Sequence, residues 1–111
     1  MIASCGRQAD PAALAGRFVA TGDGARWTFE GALTFANAAA VLQDATALAP
    51  PASGVVDCTG VGHVDSAAVT VLLAVKRRAA EAGVELSFVN APPALRSLAD
   101  VYDVDVLLGM R

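Results

Sequence analysis

Histidine is nearly missing from this chain of 111 residues, which has one, His63. Cysteine is almost as scarce. Cys5 and Cys58 show neither CxxC nor Cys/His spacing, so no disulfide framework and no metal site is expected, and reduced thiols are the simpler reading. Aromatic residues make up only 5% of a composition that is 55% apolar, which points to a core of Val, Leu and Ala. The longest basic run is Lys76-Arg77-Arg78 and the net charge is −3. Nucleic-acid binding needs a clustered basic footprint and is not expected. The longest apolar stretch, Ala67–Val75, falls far short of the roughly 20 residues of a membrane span. The first residues lack the basic start, apolar region and cleavage site of a secretory leader. Direct membrane insertion is therefore not expected, and any membrane role would run through a partner.

What remains is a chain of one small domain's length. Residues 1–14 show no periodicity and are broken by Asp10-Pro11, which reads as a tail before a domain over 15–111. Arg17–Thr21 reads as a strand. Gly22-Asp23-Gly24 is a hairpin signal, because these residues tolerate positive φ. Arg26–Glu30 alternates, with Trp27 and Phe29 on one side and Arg26, Thr28 and Glu30 on the other. Thr34 is placed to cap a helix whose apolar face is Ala38, Val41, Leu42, Ala45 and Leu48, and Pro50-Pro51 ends it. Gly54–Cys58 reads as a buried strand, followed by a tight glycine-containing loop.

A helix from Ser66 to Ala82 follows, with basic residues late and Gly83 just beyond its end. Val84–Val89 reads as a strand. Pro92-Pro93 opens a last long helix with Leu95, Leu98 and Tyr102 on one face, and Asp103 turns into Val104–Leu108. The short helical crossovers make the last strands parallel. The order predicts an α/β single domain: a mixed sheet of about four to five strands with about three to four packed helices.

The most pointed feature is the joint Asp57-Cys58-Thr59-Gly60-Val61-Gly62-His63-Val64-Asp65-Ser66. It sets a hydroxyl at a helix N-terminus, where free N–H groups and the dipole favour negative charge. An anion, a phosphorylatable hydroxyl or a partner's acidic group would suit it. An ordinary N-cap, Asp65, before an ordinary first-turn serine explains the same pair and stabilises by ~1 kcal/mol.

His63 is either a titrating group or a plain loop histidine. Ser66, His63 and Asp65 are too close in sequence to assemble a relay, and no G-x-S-x-G elbow is present. Gly22-Asp23-Gly24 lacks the lysine and helix of a phosphate loop. No enzyme activity and no cofactor is expected. Cys58 reads as a small buried hydrophobe. Asp57 must find a partner or the strand's edge, and is expected at the carboxyl end of the sheet beside Ser66. Tyr102 reads as core packing, and Lys76, Arg77 and Arg78 as a solvated face.

Together, Asp57-Cys58-Thr59-Gly60-Val61 and Val64-Asp65-Ser66-Ala67-Ala68-Val69 resemble the STAS domain (sulfate transporter and anti-sigma factor antagonist), over about residues 17–108. In that family's antagonists the phosphorylated residue is the second after the aspartate, here Ala67, which has no hydroxyl. A hydroxyl directly after the aspartate, here Ser66, is similar to the STAS subunit of the Mla-type phospholipid ABC transporter. The run Phe88-Val89-Asn90, then Leu95-Arg96-Ser97-Leu98-Ala99-Asp100-Val101-Tyr102-Asp103-Val104, is similar to the same subgroup.

The resemblance implies a cytoplasmic protein, peripheral to the inner membrane through an ATPase subunit that it binds and supports. The contact would use His63, Asp65, Ser66, Ala67, Val69 and Thr70, with Asp57, Thr59 and Tyr102 in support. The alternative it implies is an anti-sigma factor antagonist whose partner is a kinase. A third class is a small-ligand binder with an anion at the helix N-terminus. The family's glycine is Ala68 here, and its methyl is expected to narrow a partner's approach.

Overall fold

The computed structural model describes residues 14–104 and Leu108. The tail read over residues 1–14 lies outside them except for Leu14, and so do residues 105–107 of the last predicted segment. The chain runs β1 (Arg17–Ala20), β2 (Arg26–Leu33), α1 (Ala38–Thr46), β3 (Val55–Val64), α2 (Ser66–Glu81), β4 (Ser87–Val89) and α3 (Pro93–Val101). The strands form one sheet in the order β1-β2-β3-β4. β1 and β2 are antiparallel, and the β2–β3 and β3–β4 pairs are parallel. This is the expected α/β architecture, with four strands and three helices among the described residues.

The hairpin forms where the glycines put it. Gly24 has φ +72° and its N–H donates to the Thr21 carbonyl at 2.8 Å. The Asp23 carboxylate accepts from the Thr21 hydroxyl at 2.7 Å and the Ala25 N–H at 3.0 Å, so the turn's loose donors are taken up locally. The strands it joins bring Phe18 opposite Phe29. Phe18 lies 5.2 Å from the Trp27 ring and 4.9 Å, edge to face, from Phe29. Such pairs add about 0.5–1.5 kcal/mol beyond area burial. The core is thus less aliphatic than composition suggests: Phe18, Trp27, Phe29 and Phe88 are all buried. The few aromatics are concentrated where the sheet needs volume.

All three helices pack on one face of the sheet. Val41 and Ala45 of α1, Val71, Leu72 and Val75 of α2, and Leu95 and Ala99 of α3 join Phe29, Val56, Cys58 and Phe88 in one cluster. The alternating residues Arg17, Arg26, Glu30, Asp57 and Thr59 fall on the other face and are exposed or half-buried. No helix among the described residues is long and apolar enough to cross a membrane.

Four expectations are corrected. Residues 59–64 are not a loop: β3 continues to Val64, pairing Gly60 with Glu30, Val61 with Gly31, and Val64 with Leu33. The glycines sit where the register shifts between Thr28 and Glu30 and between Gly31 and Leu33, so they mark irregular pairing rather than a turn. β4 begins at Ser87 rather than Val84, because β3 offers partners only from Val55. Thr34 does not cap α1. The helix begins four residues later, with Asn37 at the cap position, and Thr34 closes the preceding turn instead. Tyr102 is 51% exposed, because α3 ends at Val101 and buries Leu95 and Ala99 instead.

Gly31 holds the junction with the segment before β1. Its φ is +97°, and a Cβ there would stand 2.7 Å from the Leu14 carbonyl oxygen, which accepts the Ala32 N–H. Gly24 shares the left-handed conformation but has open space around it. Gly31→Ala is expected to cost about 2–4 kcal/mol in urea unfolding, from strain plus a backbone clash. Gly24→Ala should cost only the strain, about 1–2 kcal/mol. Equal costs would show that the Leu14 contact does not constrain the fold.

Candidate functional site

The site is built where β3 hands over to α2. Asp65 keeps extended backbone angles (φ −138°, ψ −169°), and the next residue starts the helix. One carboxylate oxygen accepts the Ala67 N–H at 2.9 Å, which caps α2. The other accepts the Phe35 N–H at 3.0 Å, from the turn before α1. One side chain therefore joins two helix starts that are thirty positions apart in sequence.

The Phe35 turn is itself tied down. The Asn37 side chain accepts the Thr34 N–H at 2.9 Å and donates to the Ala32 carbonyl at 2.8 Å. The Thr34 hydroxyl accepts the Ala36 N–H at 3.3 Å. A turn so closed fixes its backbone while leaving the Phe35 side chain 85% exposed. An aromatic ring at that exposure on a fixed turn costs solvation and suits a contact surface. Phe35, Ala38 and Leu42 line one side of an apolar groove between α1 and α2, and Ala67, Thr70 and Val71 line the other.

Ser66, at the first helical position, is exposed, as are Thr70 and His63. Ala67 is half-buried. Val69 is 5% exposed, so it packs beneath the surface that Ser66 and Thr70 present. Ala68 is fully buried in the core cluster. Its methyl adds to the interior and does not stand between the helix and a partner, contrary to expectation.

Asp57 and Thr59 are not brought to Ser66. They lie on the sheet's other face, and the remaining strand to Val64 separates them from α2 by on the order of 20 Å. There they serve each other. Asp57 accepts from the Thr59 hydroxyl at 2.6 Å, the Thr59 N–H at 2.9 Å and the Asn90 amide at 3.4 Å, with Arg26 3.9 Å away. These interactions, the Thr59 hydroxyl foremost, hold the Asp57 carboxyl below its usual range. Cys58, on the core face, is pushed up to about 12 by burial and then by the Asp57 charge, so it is an inert thiol. Lys76 is less solvated than expected: it is half-buried and its ammonium donates to the Leu86 carbonyl at 2.6 Å. Arg77 and Arg78 are exposed. Tyr102, at the end of α3, has no recorded part in the α1–α2 groove. The described residues bring no three His, Cys, Asp or Glu side chains together as metal ligands.

Phe35 was not legible as a site residue. Its spacing to Ala38 and Leu42 matches a helix's apolar stripe, which reads as core if the helix starts at Thr34. It becomes surface only because the helix starts at Ala38.

A family model described as Mlab, STAS domain, matches residues 17–109. The chain belongs to the STAS domain family, whose members are in general non-catalytic modules that bind partner proteins. Comparison with curated proteins finds no match to the chain.

The Asp57 cluster makes a pH prediction. A carboxyl with a depressed folded-state pKa adds stability that is present above its unfolded value, about 3.9, and lost as pH falls through the depressed folded value. The Asp57 carboxyl should therefore titrate by NMR below the ordinary aspartate range, and Thr59→Val should move the midpoint up. An unchanged midpoint in Thr59→Val would remove the hydroxyl as the main cause.

Proposed function

We propose that this chain is the STAS subunit that binds and supports the ATPase of an Mla-type phospholipid ABC transporter, docking through the N-terminal turns of α2. The observation that carries the reading is an exposed hydroxyl at Ser66 followed by Ala67, which has none. The family description adds support through its own wording. The physical fit is an aromatic anchor, Phe35, in an apolar groove that the first turns of α2 line through Ala67, Thr70 and Val71. On this reading the domain itself performs no chemistry. It sits at the cytoplasmic side of the inner membrane because its partner does.

A second reading draws on the same exposed hydroxyl: an anti-sigma factor antagonist phosphorylated at Ser66 by a kinase partner. The hydroxyl is open to solvent at the positive end of a 16-residue helix, where a phosphate would be favoured.

Tagged wild-type domain is expected to capture an ABC ATPase with its permease from lysate of its own cells. Ser66→Arg should abolish capture while changing stability by no more than about 1 kcal/mol, since Ser66 is exposed and an arginine there opposes only the helix dipole. Undiminished capture by Ser66→Arg would contradict the docking surface. Capture of a kinase, with a gain of one phosphoryl group by intact mass, would replace the transporter reading with the second one.

A further inference from the structure

The seam between α1 and α2 opens a second time at its far end, away from Ser66. Here a half-open cavity of about 140 Å³ lies between the end of α1, the Leu48–Pro50 segment and the last turns of α2. Its walls are Trp27, Ala45, Leu48, Pro50, Val75 and Ala79. The wall residues of the strand and of α2 are firmly placed: Trp27, Val75 and Ala79 are all buried. The Trp27 indole N–H donates to the Ala49 carbonyl at 3.1 Å, so the ring's polar edge is satisfied and it can offer hydrocarbon to the cavity. The Thr46 hydroxyl, also in the lining, donates to the Gln43 carbonyl at 2.7 Å.

One charged group belongs to this lining, Arg78. It is exposed, and the only ion pair recorded among the described residues is Arg26–Asp57. Its exposed side chain forms part of the lining of an apolar hole, and a guanidinium is a planar fork of donors. A fork of that geometry matches a carboxylate in two parallel hydrogen bonds. The size of the hole sets the rest of the ligand. A cavity of about 150 Å³ holds one benzene ring, so a single ring fits.

We propose that this cavity is a binding site for a monocyclic aromatic carboxylate, with its ring against Trp27 and its carboxylate on Arg78. The site is separate from the partner-docking surface and does not depend on that reading.

Trp27 is the only tryptophan of the chain and forms a wall of the cavity, so its fluorescence reports occupancy directly. Titration of the full chain with benzoate should give a saturable change in Trp27 emission. Benzyl alcohol, equal in ring and neutral in charge, should bind about tenfold more weakly. Arg78→Gln, at an exposed position, should weaken benzoate by about tenfold and leave benzyl alcohol unchanged. Ala82→Leu, which puts bulk into the exposed rim, should abolish the saturable response to both. A response that is linear in benzoate, equal affinity for the two probes, or unchanged benzoate affinity in Arg78→Gln would each overturn the proposal.

Discussion

The carboxylate of Asp65 is the joint between the two segments of the candidate surface. It accepts one N–H from its own helix and one from the Phe35 turn. A hydrogen bond to a charged group contributes about 1.5–3 kcal/mol, and an N-cap alone about 1 kcal/mol. More consequential than the energy is the geometry. The second bond ties the Thr34–Asn37 turn to the start of α2, next to the Leu33–Val64 pair from which both segments leave the sheet. Thr70 and Phe35 line one groove, and Asp65 ties together the segments that carry them.

The sheet explains why Asp65 can make that reach. β2 and β3 run parallel for their whole length, so both end on the same side and both helices start there. The two register shifts let β3 follow β2 as far as Val64, which delivers Asp65 beside the turn that leaves β2 at Leu33. Packing the three described helices on one face leaves Arg17, Arg26, Glu30, Asp57 and Thr59 on the other. That division separates the chemistry: Asp57 and Thr59 form a local network on the open side, and the Ser66 surface belongs to the helical side.

Much of this was legible in the residues. The Gly22-Asp23-Gly24 hairpin, the alternation of Trp27 and Phe29, the span of α2 and the cap at Asp65 each follow from short-range rules, and short-range rules suffice there. The failures share one cause, contacts between segments distant in sequence. Gly60 and Gly62 resemble turn residues until β2 pairs with their strand. Thr34 resembles a cap until Asn37 and Ala32 take up the turn's hydrogen bonds. Asp57 was placed near Ser66 by a strand read as too short. The Asp65–Phe35 bond joins segments thirty positions apart and has no local signature, so Phe35 does not read as a site candidate from the sequence.

STAS domains in general bind partner proteins, and the proposed docking surface of this one has its two segments tied by one side chain. Amide hydrogen exchange at Phe35 and Ala67, in wild type and in Asp65→Ala, tests that claim most directly. The Phe35 N–H belongs to an exposed turn and has the Asp65 carboxylate as its recorded acceptor. Protection of both amides in wild type, lost at both in Asp65→Ala, is the predicted result. A Phe35 amide that exchanges at the rate of an open turn in wild type, or stays protected without the Asp65 carboxylate, would contradict it.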